Sequence, residues 1–244
     1  MAPNKNIVLA FDAYGTLLST ESIAEKLASH FGQEKAQTIA ATWRKYQLEY
    51  TWRLNSMNQY EPFSTVTVRS LQHALSESSV SLPASSISSL MHAYDSLSTF
   101  PDVAPALESL SQNPNLTPVV FSNGTHAMVS ASVNHSPSLS PYAAVFTDIV
   151  VVEEVKTFKP APVVYEYLAK RVGKEGEMRD VWLISGNPFD VVGANAVGMR
   201  TAWVDRAGRG WEDALVEGGM GRPTVVVRGL EEVVEAVEGF MGKG

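Results

Sequence analysis

The first regular feature of the chain is an unbroken apolar run, Ile7 to Phe11, that ends at a glycine-containing turn. A short continuous run of this kind predicts a strand buried on both faces. From about 20 to 98 the apolar spacing changes to three and four residues. Trp43, Tyr46, Tyr50, Leu54 and Met57 make one stripe, and two more helices are predicted at about 65–78 and 83–97. After Pro101 short β-branched or aromatic runs return, at 116–121, 145–152, 181–184, 201–204 and 224–227. Helical stretches separate most of them, at about 102–111, 125–133, 162–172, 189–197 and 230–241. Strands alternating with helices predict an α/β fold: a Rossmann-like parallel-sheet core with helices on both faces. The core takes residues 1–18 plus 99–244, and residues 19–98 are an inserted helical cap domain. Gly218 to Gly221 is expected to be a surface loop.

Composition narrows this picture. The 244 residues carry a formal net charge of −7, which disfavours nucleic acid or an anionic membrane as the main partner. There are no cysteines, so disulfides, thiolate nucleophiles and Cys-ligated zinc are excluded together. The MAPNKN start leads into an apolar run too short for a signal peptide or a span, and a cytoplasmic protein is expected. The five histidines show no metal-ligand spacing, and neither a nucleophile elbow nor a phosphate-binding glycine loop occurs.

In open parallel sheets ligands bind beyond the C-terminal ends of the strands. There the chain carries Asp12, then Ser122-Asn123-Gly124, then Ser185-Gly186-Asn187 with Asp190, and Lys159 stands on the loop before a helix. Each has an ordinary explanation. Asp12 could cap a turn, Ser122-Asn123-Gly124 could open a helix, and Lys159 could be a solvated loop lysine. Convergence of four loops on one crevice favours chemistry.

These segments carry a resemblance. FDAYGTL (11–17), the serine of FSNGT, the lysine of FKPAPVVY and the aspartate of SGNPFD resemble the four ordered motifs of the haloacid dehalogenase superfamily. Within it, TWRKYQLEYTW followed by MNQY is similar to the cap helix that bears the substrate-binding arginine of the 2-haloacid dehalogenases. The resemblance spans about 7–205. It implies Asp12 as a nucleophile forming an ester with the carbon that bears the halogen. It implies Lys159, Thr16, Ser185 and Asn187 as groups that hold the carboxylates, and Asp190 as the residue that activates water. Ser122, Asn123 and Gly124 would receive the substrate carboxylate, and Arg44 the departing halide. Ala13, Tyr14, Leu48, Phe63, Tyr165 and Phe189 would line the pocket. The implied reaction converts short-chain 2-haloalkanoic acids to 2-hydroxy acids and halide, with inversion at C2 and with no metal or other cofactor.

The main competitor is a magnesium-dependent phosphatase of the same superfamily. Its first motif carries a second aspartate two residues beyond the nucleophile, where this chain has Tyr14, and Gly186 stands where its last motif often has an extra acid. Magnesium needs hard oxygen ligands, and the carboxylate supply here is thin. A halide departs as a stable anion and needs no general acid, which matches Tyr14. Hydrolysis of another activated carbon centre, such as a small-ring imino acid, uses the same nucleophile and is not separated by sequence. A non-catalytic binding protein is the third class, against which the set Asp12, Lys159 and Asp190 argues. The chain departs from the dehalogenase pattern at Lys45, Phe189 and Ala13, so chain-length and halogen preference stay open. The aromatic stretch 43–60 suits either internal packing or a homodimer interface.

Overall fold

The apolar run at the start of the chain lies at the middle of the sheet. The structure, a computed structural model, describes residues 6–242; the MAPNK start lies outside them. β1 (Ile7–Asp12) is buried along its whole length. It pairs in parallel with β2 (Leu116–Ser122) on one side and β4 (Val181–Ser185) on the other. β3 (Ile149–Val151), β5 (Arg200–Val204) and β6 (Val225–Val227) complete a six-stranded, all-parallel sheet in the order β3-β2-β1-β4-β5-β6. Strands with neighbours on both edges and cover on both faces have no polar side, which is why IVLAF and VWLI read as unbroken apolar runs.

Regular structure between Ile23 and Tyr94 is helical: α1 (Ile23–Phe31), α2 (Gln33–Ser56), α3 (Phe63–Glu77) and α4 (Ala84–Tyr94). The two connections to this insertion run side by side, with Leu18 bridged to Thr99 and the Ser19 N–H donating to the Ser98 carbonyl at 2.8 Å. Among the described residues five helices follow: α5 (Val103–Ser111), α6 (His126–His135), α7 (Pro162–Arg171), α8 (Pro188–Ala196) and α9 (Val233–Met241). No helix of the described residues is long and apolar enough to cross a membrane.

Two expectations change. The strand expected at 145–152 pairs only over Ile149–Val151, because Ser140–Val145, with Pro141 at its start, forms a 3-10 turn. In the stretch 218–221, Gly221 is buried rather than at the surface: a Cβ there would lie 1.7 Å from the Val216 carbonyl oxygen.

After β1 the chain turns at Gly15, whose φ of +90° is left-handed and favours glycine. The order of the sheet reverses at β1, since the chain steps outward from it to β2 and β3, and later to β4, β5 and β6. The crevice at such a switch point opens beyond the C-terminal ends of β1, β2 and β4, where Asp12, Ser122 and Ser185 stand.

Leu9 is fully enclosed in the central strand, whereas Val226 on the edge strand is 49% exposed. Leu9→Ala is expected to cost about 2–5 kcal/mol in urea unfolding, and Val226→Ala to change stability by less than about 0.5 kcal/mol.

Candidate active site

Asp12 is the last residue of β1 and is only 6% exposed. Its two oxygens are treated differently. Oδ2 accepts three hydrogen bonds: from Asn187 Nδ2 at 2.7 Å, Thr16 Oγ1 at 2.9 Å and Ser185 Oγ at 3.3 Å. Oδ1 accepts one, from Lys159 Nζ at 3.1 Å. The turn after β1 and the loop after β4 thus occupy one oxygen and leave the other less engaged.

Lys159 is 1% exposed, and its ammonium makes three hydrogen bonds: to Asp12 Oδ1, to Asp190 Oδ2 at 2.7 Å and to the Phe121 carbonyl at 2.8 Å. All three of its donors are therefore used. Its backbone is held as firmly. The Lys159 N–H donates to Asn123 Oδ1 at 2.9 Å, while Asn55 of α2 pairs with both backbone groups of Phe158, at 2.7 and 2.9 Å.

Asp190 sits in the first turn of α8 and is fully buried. Burial above all, opposed by Lys159 and helped by Asp12, leaves its carboxyl pushed up to about 6. Its Oδ1 accepts from Tyr165 Oη at 2.7 Å. That approach needs a glycine opposite, since a Cβ on Gly193 would lie 2.5 Å from the tyrosine oxygen. Tyr165 itself is fully buried, so its visible task is to hold Asp190 rather than to line a pocket.

The other expected residues assemble around this centre. Ser122 is fully buried, and its Oγ accepts from the Gly124 N–H at 3.0 Å. Gly124 leaves room for the ring of Tyr14, which a Cβ would approach to 3.0 Å. Tyr14 stacks on Phe63 at 5.6 Å, and burial raises its phenol well above the usual tyrosine range, so the group remains protonated. Ala13 is buried beside it. From the helical insertion, Arg44 reaches the site with Nη2 donating to the Tyr14 carbonyl at 3.1 Å and to Asn187 Oδ1 at 3.4 Å. Leu48 lies one turn further along α2 and is half-buried. Phe189 meets Trp52 of the same helix edge-on at 5.5 Å.

Asn55, Gln47, Arg206 and its partner Asp102 escaped sequence reasoning. Asn55 and Gln47 lie on a helix where amides look like solvated polar positions. Arg206 donates to the Thr16 carbonyl at 2.8 Å while paired with Asp102 at 2.9 Å, bracing the turn that carries Asp12 and Thr16. The rule that found Asp12, Ser122 and Ser185 also covers the end of β5, where Asp205-Arg206 follows directly. Among the described residues no cluster of three or more His, Asp or Glu side chains has the geometry to hold a metal ion.

The profile of the haloacid dehalogenase-like hydrolases matches residues 8–198. An (S)-2-haloacid dehalogenase of Pseudomonas sp. (strain YL) is 31% identical over 236 residues, covering 96% of each chain. The (S)-2-haloacid dehalogenase 4A of Burkholderia cepacia is 32% identical over 198 residues, covering 81% of this chain and 82% of its own. The L-2-haloacid dehalogenase of Xanthobacter autotrophicus, solved with chloropropionic acid covalently bound, superposes with a TM-score of 0.83 at 27% identity, over 95% of this chain and 98% of its own.

Because Lys159 draws Asp190 down, Lys159→Met is expected to move the Asp190 titration above its wild-type midpoint of about 6. Carbon-13 NMR of aspartate-labelled protein checks this; an unchanged midpoint would contradict the contact.

Proposed function

The chain belongs to the haloacid dehalogenase-like hydrolases and is a hydrolase of the carbon–halide bond of 2-haloacids, in which we propose that Asp12 is the nucleophile. The observation that carries the assignment is the unequal engagement of its two oxygens. Oδ2 has three donors on it, whereas Oδ1 has only Lys159 and keeps a lone pair for attack.

In the first step Asp12 Oδ1 bonds to C2 of the substrate from the side opposite the halogen. The carbon–halogen pair leaves with the halide, and an ester forms. Attack from the rear inverts C2. Oδ2 is then the ester carbonyl oxygen, and Thr16, Ser185 and Asn187 already point at it. They become the donors for the oxyanion that forms when water adds to the Asp12 carboxyl carbon. Asp190 takes a proton from that water and passes it to the alkoxide released when the Cγ–Oδ1 bond breaks. The second proton of the water leaves with regeneration of the Asp12 carboxylate. C2 is untouched in this step, so the inverted 2-hydroxy acid is the product.

Enclosure makes the weak nucleophile effective. A carboxylate shielded from water reacts faster when fixed dipoles replace its hydration. The protonated Tyr14, where the phosphatases carry an acid, suits a leaving group that needs no proton. In this reading residues 19–98 are a cap on the core of residues 1–18 plus 99–244. Arg44 and the rings of Tyr14, Phe63 and Phe189 surround the halogen, and Ser122 with the Asn123 amide receives the substrate carboxylate, next to Gly124, whose own N–H is held by Ser122 Oγ. Short-chain acids fit such a closed site best.

Wild type is expected to release halide from L-2-chloropropionate without added metal, and Asp12→Asn to lose roughly 10³-fold or more of that rate. A single turnover in heavy-oxygen water is expected to label Asp12, with product oxygen drawn from the side chain; label placed directly in product would refute the ester. Since Asp190 must be ionised to accept a proton, activity is expected to fall as pH drops through about 6.

A further inference from the structure

Arg44 is held by neutral acceptors alone. Its Nη1 donates to Gln47 Oε1 at 2.7 Å, and its Nη2 to the Tyr14 carbonyl and Asn187 Oδ1. Among the described residues no carboxylate forms an ion pair with it. A guanidinium has five N–H donors; three are engaged by these acceptors and the Tyr94 hydroxyl lies against the group as well, so donor capacity still remains for an anion.

The orientation of the Gln47 amide follows from its other partners. Gln47 is 1% exposed. On its far side stands Thr67, whose hydroxyl donates its one proton to the Phe63 carbonyl at 2.7 Å. Toward Gln47 that hydroxyl can only accept, so Nε2 faces it, at 2.8 Å. Oε1 is thereby turned to the opposite side, where Arg44 Nη1 and Tyr94 Oη, at 3.1 Å, both donate to it. Trp43 ties the same backbone into place, its Nε1 donating to the Thr67 carbonyl at 2.8 Å. Donation runs in one sense from the guanidinium through Gln47 to Thr67 and the Phe63 carbonyl of α3.

We propose that Gln47 is a positioning residue for Arg44: a buried, uncharged acceptor that aims the guanidinium into the site and leaves its positive charge free for the halide. This rests on the reading of Arg44 as the halide-binding cation. A carboxylate at position 47 would have nearly the same shape and would accept the same bonds from Arg44 and Tyr94, although it would have no proton to donate to Thr67. It would also form a charge-assisted pair and cancel the charge that the anion needs. A methionine would fill the space and keep the charge, but would leave Arg44 Nη1 and Tyr94 Oη without their acceptor.

The test compares wild type, Gln47→Glu and Gln47→Met, with sodium bromide as the probe and thermal melts to establish folding. Bromide binding is read from quenching of tryptophan fluorescence, which needs no turnover, and from product inhibition. In Gln47→Glu, KM for L-2-chloropropionate and the bromide dissociation constant are expected to rise about tenfold or more, the scale of losing a buried charged contact. In Gln47→Met the bromide constant is expected to rise less, with the larger loss in kcat. Wild-type KM and bromide affinity in a folded Gln47→Glu would overturn the proposal; should that variant not fold, the same result in Gln47→Met would do so. Failure of the dehalogenase reading is distinguishable. It would appear as absent turnover, while loss of bromide binding in the variants would still support the role of Gln47. A wild type that binds no bromide would overturn both roles.

Discussion

The site depends on one buried ammonium. Lys159 stands between the carboxylates of Asp12 and Asp190, with none of the three groups more than slightly exposed. Two enclosed carboxylates on neighbouring loops would repel each other, and each would be costly to desolvate alone. The cation makes their proximity tolerable, and its third hydrogen bond, to the Phe121 carbonyl, anchors it to β2 rather than to either acid. Much of the surrounding architecture serves that placement. Asn123 holds the Lys159 N–H, Asn55 holds the residue before it, and Tyr165 keeps Asp190 turned toward the ammonium.

With the ammonium placed there, the two acids take on different characters. Asp12 is surrounded by donors, whereas Asp190 is buried deeply enough to be pushed up to about 6. Environments of that kind separate the proposed nucleophile from the proposed base without changing the residue type. The leaving group completes the logic. A halide departs as an anion, so the position where a phosphatase needs a proton donor can hold an aromatic ring that excludes water.

Most of the fold was legible because its strands are buried on both faces. Runs such as IVLAF and VWLI have no other sensible place, and the polar residues that follow them mark the crevice. Asp12, Lys159, Asp190, Thr16, Ser185 and Asn187 were found by that rule together with a motif resemblance, and the structure brings all six within one hydrogen-bonded group. The end of β3 was less legible, since Val145 and Phe146 have strand-like side chains while Pro141 and the turn after it set the backbone. Gln47 and Asn55 were illegible for a different reason. A helix stripe shows which face is apolar, but an amide gives no sign of whether it meets water, a guanidinium or a backbone peptide. Tyr165 shows the same limit: its position was readable, and its partner was not.

The longest helix has a mechanical meaning. α2 carries Arg44 at one point, Trp52 against Phe189 two turns later, and Asn55 on the Phe158 peptide near its end. At 1.5 Å per residue, Arg44 and Asn55 are about 16 Å apart on one stiff rod. A rod cannot tilt at one point alone. On the proposed reading of Arg44, bulk that presses against the guanidinium also pulls on the strap that steadies the buried lysine, which ties tolerance for a larger halogen or a longer acid to the rigidity of a helix as well as to the width of a pocket.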